Sequence, residues 1–213
     1  MCAFARLDLY LIRHGVTTWN KEKRYLGHSD EPVEKDRLKD LFAIKNELKD
    51  VSFDGGIWTS DLKRCQQTLQ YLLPENFYNV DERLREYNFG DWEGKTYDDL
   101  KEIVEYRQWI DNWQGNRAPR GETGKGFTER IQSWVDEFFS EIEEPSASFC
   151  KNCLVVTHGG VIRYLLSTLD GSKSFWDWRV NHGEGVKLSF IFREGKWECS
   201  SLSAVPTPEK GNS

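Results

Sequence analysis

No stretch of the sequence approaches the roughly 18 consecutive apolar residues that a membrane-spanning helix requires. The short apolar run near the start, MCAFARLDLYLIRHG, is interrupted by Asp8, which spoils a secretory leader. The expectation is therefore a cytoplasmic protein with no membrane partner. A surplus of positive charge is also missing: 29 Lys and Arg stand against 35 Asp and Glu, for a formal net charge of −6 and a pI near 5.4. Nucleic acid held through its phosphates needs the opposite balance, so no nucleic-acid partner is expected and any phosphate site must be local. Cysteine is sparse and odd in number, at Cys2, Cys65, Cys150, Cys153 and Cys199, which suits a reducing compartment better than a disulfide framework. The CKNC pair at 150–153 invites a zinc or redox reading. Zinc needs about four ligands, and no second Cys or His pair follows, so a structural pair and no metal are expected.

What is present fits one core. At 213 residues, 38% apolar and 30% charged, the chain reads as a single domain over 1–204, with VPTPEKGNS at 205–213 as a loose tail. RLDLYLIRHG is too continuously apolar for a strand with one wet face and reads as a buried strand. From Val33 to Asp50, Leu38, Leu41, Phe42 and Leu48 recur at helical spacing among charges. FDGGIWTS reads as a loop and short strand, and SDLKRCQQTLQYLL as a helix opened by Ser-Asp capping chemistry. Strand, helix, strand, helix implies a parallel sheet with crossover helices. Residues 97–139 are helical in pattern, broken by GNRAPRGETGKG, and could form a lid. CLVVTHGGVIRYLLSTL then repeats the opening theme of apolar strand, His-Gly, helix.

Two predicted strand ends thus deliver His14-Gly15 and His158-Gly159. In an open parallel sheet ligands sit outside the carboxyl ends of strands, so both histidines can reach one crevice. The glycines permit close backbone approach, and the following helix start offers N–H groups to an anion. A lone His-Gly is more often structural than catalytic. Arg13 precedes the first histidine, Arg64 lies early in a helix after a strand, and Glu86 sits in LREYNFGDWEGKTYDDL. Their bland alternatives are a surface arginine and a solvated carboxylate. Together, two His, two Arg and one Glu can move a phosphoryl group without metal. Neutral His14 attacks phosphorus, Arg13 and Arg64 present donor forks to its oxygens, and His158 adds a donor. A protonated Glu86 would give its proton to the leaving alcohol and then accept one from water, worth ~10²–10⁴ in rate.

These residues resemble the histidine phosphatases, in their phosphoglycerate mutase-like branch. LIRHGVTTWN looks like the opening RHG motif, GHSDEP like its Gly-x-x-Asp-x-Pro segment and SDLKRCQQT like the second-arginine segment. LREYNFGDWEG looks like the acid-bearing motif and VVTHGGVIRYLL like the second-histidine motif. In order and spacing they cover about residues 7 to 169. The resemblance implies a three-layer α/β/α sandwich with a mostly parallel central sheet and a helical lid insertion at about 97–139, and no metal or organic cofactor. It assigns His14 as the phosphorylated nucleophile, Arg13, Arg64 and His158 as the phosphate pocket, Glu86 as the proton donor, and Asn20 and the Gly159 backbone as phosphate contacts.

Departures from the family pattern bear on the reaction. Val16 replaces an acidic residue frequent after RHG. The acid motif runs Glu86-Tyr87-Asn88-Phe89 rather than the mutases' Glu-Arg-His-Tyr, and YRQWIDNWQGN lacks their paired arginines for a second phosphate. Hydrolysis of a small phosphorylated metabolite is therefore expected ahead of mutase activity, with a phosphate-binding regulatory protein as the reading from another class. PRGETGKGFTERI resembles a segment of small phosphatases that include the α-ribazole phosphatases. It is no P-loop, since Pro119 and Gly126 occupy the required Gly and Ser/Thr positions. Nine Trp invite an aromatic rim of Trp19, Trp92, Trp109 and Trp113 around a flat or apolar substrate, although tryptophans at helical spacing are more often core.

Overall fold

The opening apolar run forms β1 (Arg6–Arg13) at the interior of a six-stranded sheet in a computed structural model that describes residues 5–142, 145 and 149–208. Both faces of β1 are covered, which explains its unbroken hydrophobicity. Leu7, Leu9 and Leu11 face one apolar cluster, and Tyr10 and Ile12 the other.

Along the chain follow α1 (Thr18–Lys21), α2 (Phe42–Leu48), β2 (Gly56–Thr59), α3 (Lys63–Leu72), β3 (Asn79–Val80), α4 (Tyr97–Leu100) and α5 (Val104–Asp111). The rest are α6 (Gly124–Ser140), β4 (Cys150–Thr157), α7 (Gly159–Leu169), β5 (Gly185–Arg193) and β6 (Lys196–Val205). The strand order is β3-β2-β4-β1-β5-β6. The four strands β3, β2, β4 and β1 pair in parallel, while β5 runs antiparallel to β1 and β6. Helices α2 and α3 cover one face through Ile44, Leu48, Leu69 and Leu72, and α6 and α7 the other through Phe127, Ile131, Val161 and Leu165. The expected three-layer, mostly parallel architecture is observed.

Several local expectations shift. The helix read over 33–50 is a 3₁₀ segment at Lys35–Leu41 continuing into α2. Leu38, Leu41 and Ile44 pack on the core at three-residue spacing, the period of the tighter helix. Ser60 and Asp61 do not cap α3 as expected: Leu62 is its N-cap, and the Lys63 N–H instead donates to Asp30 Oδ1 at 2.7 Å. The 97–139 segment divides in function. The long helix α6 is a core layer, whereas α4, α5 and the loop to residue 123 roof the sheet's carboxyl edge, pinned by buried Leu100, Tyr106 and Trp109. Val205, assigned to a loose tail, instead closes β6 opposite Gly185 at 1% exposure, and the Thr207 N–H donates to Glu47 Oε2 at 2.6 Å. Cys2 and the tail from residue 209 lie outside the described residues. Cys150 and Cys153 sit three apart in β4, one exposed and one buried. Residues three apart on a strand point to opposite faces, so the pair is not placed to form a disulfide or share a metal.

Candidate active site

Four parallel strands each hand one chemical group to the same edge. Arg13 at the end of β1 pairs in register with Thr157 at the end of β4, so His14 and His158 emerge side by side. Their rings lie 5.1 Å apart, centroid to centroid. Arg64 follows β2, and Glu86 follows β3 after a 3₁₀ turn at Glu82–Leu84.

His14 is 3% exposed, and its Nδ1 lies 2.7 Å from Gly15 O. A carbonyl only accepts, so that bond places the proton on Nδ1 and leaves the lone pair on Nε2. Burial, reinforced by Arg64, His182 and Arg13, holds the imidazole well below the ordinary histidine range. The ring is therefore neutral at neutral pH, as a nucleophile must be. Gly15 N donates to Thr68 Oγ1 at 2.9 Å, which donates in turn to Arg64 O at 2.7 Å, tying the nucleophile's turn to α3.

Arg64 is fully buried. Its Nη1 and Nη2 donate to Ser29 O and Gly27 O at 2.9 and 2.6 Å, and its Nε to His158 Nδ1 at 3.2 Å. Since His158 Nδ1 accepts, the proton of this neutral ring sits on Nε2, which lies 3.4 Å from Cys65 Sγ, a weak acceptor that a phosphoryl oxygen outcompetes. Burial, with Arg64 and His14, keeps His158 well below its ordinary value. Arg13 donates from Nη1 to Val180 O at 2.7 Å, while its buried Nε has no hydrogen-bond partner among the described residues. Burial brings its guanidinium down to about 10, still charged at neutral pH.

The 27–29 loop that receives Arg64 is itself held by Glu93, whose carboxylate accepts from His28 N at 2.7 Å and Ser29 N at 2.6 Å. Gly27 is required there, because a Cβ would lie 2.1 Å from Tyr87 O. Glu86 accepts from Gly160 N at 2.9 Å and Tyr87 N at 3.0 Å, so its carboxylate is fixed at the start of α7. Behind it, Arg130 donates to the carbonyls of Arg83, Arg85 and Glu86 and to the Glu122 carboxylate, at 2.7 to 3.0 Å. A Cβ on Gly159 would stand 3.0 Å from Arg13 Cζ, so this position lets the guanidinium approach the backbone.

The structure thus brings together Arg13, His14, Arg64, Glu86, His158 and Gly159. Asn20 stands apart: its Oδ1 accepts from Thr17 N and Oγ1 in the capping box of α1, and no hydrogen bond joins it to the cluster among the described residues. The residue missed from sequence is His182, whose ring lies 5.3 Å from that of His14. Because β5 is antiparallel to β1, its first residues lie at the carboxyl edge, with Gly185 opposite Ile12. The available signal was a third His-Gly step, His182-Gly183, just before an apolar run.

Beside Glu86 opens a cleft of about 240 Å³ lined by Tyr87, Phe89, Trp109, Trp113, Phe175 and Trp176, with Arg163 at its wall. Of the four rim tryptophans expected, Trp109 and Trp113 line it. Trp92 is buried in the core against Tyr106, and Trp19 lies against Gly94. Arg107, the cation of the roof helix α5, pairs with Glu102 and the carbonyl of Lys101 rather than lining this cleft.

The family model for the histidine phosphatase superfamily (branch 1) matches residues 9–204. The chain belongs to that superfamily. It is 32% identical over 183 residues to the adenosylcobalamin/alpha-ribazole phosphatase of Escherichia coli K12, covering 83% of this chain and 87% of that protein. It is also 32% identical over 198 residues to a Yersinia pestis protein named "Probable phosphoglycerate mutase GpmB", covering 91% and 89%. The crystal structure of the alpha-ribazole phosphatase from Shigella flexneri superposes with a TM-score of 0.77 at 29% identity, over 92% of this chain and 95% of that one. This histidine phosphatase is an enzyme by family, and no helix among its described residues is long and apolar enough to cross a membrane.

Proposed function

We propose that this histidine phosphatase hydrolyses a small phosphomonoester through phosphohistidine at His14, without metal, on one catalytic domain that includes the end of β6 at Val205, in the cytoplasm. The observation that carries the reading is the neutral His14 with its Nδ1 proton on Gly15 O and its ring flanked by His158, Arg13 and Arg64. His14 Nε2 attacks phosphorus as the ester P–O bond breaks, and Glu86 gives its proton to the leaving oxygen. Water then attacks the phosphorus of phosphohistidine, Glu86 takes its proton, the N–P bond breaks, and inorganic phosphate leaves. Arg13, Arg64, His158 and the N-terminal end of α7 at Gly159 hold the phosphoryl oxygens throughout, with Asn20 Nδ2 as an outer contact.

The aromatic cleft beside Glu86 supports a leaving group with a flat or apolar body, and α-ribazole phosphate is the substrate class that the similar phosphatases name. Mutase chemistry is the second reading, since the Yersinia pestis relative carries that name. Against it, the roof's Arg107 is engaged with Glu102, so a second phosphate finds no paired arginines there. The test is steady-state hydrolysis of α-ribazole phosphate, 3-phosphoglycerate and generic esters with and without chelator, with isomerisation of 3-phosphoglycerate assayed in parallel. Chelator-resistant release of phosphate fits the proposal; isomerisation without net hydrolysis assigns a mutase, and no transfer from any ester leaves a binding protein.

A further inference from the structure

His182 lies in a short loop held from two sides. Arg13 donates from Nη1 to Val180 O at 2.7 Å and from its backbone N to Glu184 O at 3.0 Å. Asn181 and Glu184 close the loop on themselves, Asn181 N and Nδ2 donating to the Glu184 carboxylate at 3.0 to 3.1 Å. Gly183 turns the chain at φ +70°, where a Cβ would meet the Leu41 side chain at 3.0 Å. The loop therefore presents the His182 ring in a fixed position, edge-on to His14 at an interplanar angle of 63°. Its Nε2 is buried and has no hydrogen-bond partner among the described residues. A buried ring nitrogen without a partner is costly, and such groups in native proteins mark a missing occupant or a catalytic role. The unpaired, buried Nε of Arg13 belongs to the same cluster.

We propose that His182 is a third imidazole of the phosphoryl pocket, donating from Nε2 to an oxygen of the phosphoryl group while that group is carried on His14. The inference deepens the phosphatase reading and rests on it. Burial, with Arg13 and Arg64, brings His182 down to about 3, so the ring is neutral and adds a donor without adding charge against the two guanidinium groups. With one N–H available, a proton on Nε2 meets the charged phosphoryl oxygens, which only accept at neutral pH. The three histidines then divide the work by their partners. His14 is tied through Nδ1 and attacks, His158 is tied through Nδ1 to Arg64 and donates, and His182 donates from the loop before β5.

The experiment uses the full chain and inorganic phosphate, followed by calorimetric titration and by ¹⁵N NMR of the imidazoles, with kcat, KM and thermal midpoint measured for His182→Leu and His182→Gln. The glutamine amide can reach the position of Nε2; leucine fills the space without a donor. Expected are a shift of the His182 Nε2 signal on adding phosphate and, for His182→Leu, phosphate affinity and kcat each lower on the order of tenfold, the effect of losing one hydrogen bond to a charged group. Substantial rescue by His182→Gln is also expected. Equal affinity and kcat in a folded His182→Leu protein would overturn the proposal, as would a glutamine variant no better than leucine at an equal thermal midpoint, which marks a packing role. If wild-type protein turns over no ester yet binds phosphate in a His182-dependent way, the phosphatase reading fails and His182 keeps its place. Absence of phosphate binding by wild-type protein overturns both.

Discussion

At the residue scale the chemistry depends on one neutral nitrogen. His14→Ala removes the nucleophile, and turnover is expected to fall to background while the fold survives; phosphohistidine trapped by acid-stable-versus-labile phosphate assay should vanish with it. Because burial and the neighbouring guanidinium groups lower the proton affinity of His14, its protonation does not limit the free enzyme near pH 6.5. A kcat/KM profile should therefore show no acid limb from this group until well below that value, and a limb centred at the ordinary histidine value would refute the assigned environment. Gly160 offers a second residue-level test. A Cβ there would sit 2.2 Å from Glu86 Oε1, so Gly160→Ala displaces the carboxyl group. A misplacement of about 1 Å costs ~100-fold in rate, which should appear in kcat for esters with poor leaving groups and far less for activated aryl esters that need no proton.

At the element scale, short segments are positioned by side chains distant in sequence. Asp30, in the loop that receives Arg64, also receives the first N–H of α3, and Lys63 Nζ pairs with it at 3.2 Å. Asp30→Ala removes the acceptor of that first helical N–H and is expected to cost about 1 kcal/mol, read as a lower unfolding midpoint in denaturant. Arg130 clamps the Glu86 segment to α6 through three carbonyls and Glu122. Both partners are mostly buried, with side chains 20% and 17% exposed, so Arg130→Ala leaves Glu122 with the Asn88 N–H in place of a cation and should cost about 1–3 kcal/mol. It should also lower kcat, since Glu86 loses its backing. The roof helices are held by an aromatic cluster rather than by charges: Trp109 Nε1 donates to the Tyr87 hydroxyl at 3.2 Å, and Tyr106 packs on Trp92. Trp109→Ala is therefore a stability mutation as much as a binding one. Trp176, 56% exposed at the mouth of the cleft, is the cleaner probe. Trp176→Ala should raise KM about 2- to 10-fold for an ester with an aromatic body and leave 3-phosphoglycerate unchanged.

At the scale of the whole molecule, burying neutral histidines links the site to stability. His14 and His158 bind protons less readily folded than unfolded. Their unfolded forms titrate near 6.5, so above that pH neither contributes a pH dependence. As pH falls below it the unfolded chain gains protons that the folded one refuses, and each group withdraws up to about 1.4 kcal/mol per pH unit until its folded value is reached. The thermal midpoint should begin to fall near pH 6.5, with a shallower slope in His158→Gln and a restored midpoint when inorganic phosphate is bound.

The sequence by itself determined the parts that depend on local order: β1 from an apolar run wet on neither face, the His-Gly steps at strand ends, and the motif series that identified the family. Parallel strands emerge at a common edge, so a group placed after each of β1, β2, β3 and β4 had to converge, and His14, Arg64, Glu86 and His158 do. Tertiary structure alone decided the rest. His182 joins the site through the start of an antiparallel strand, where the rule for strand ends is reversed. Which tryptophans line the cleft depends on packing rather than helical phase, so Trp92 went to the core while Phe89, Phe175 and Trp176 came to the wall. The tautomer of His158, finally, depends on a guanidinium brought to it from α3, whereas that of His14 is set by the carbonyl of its own neighbour Gly15.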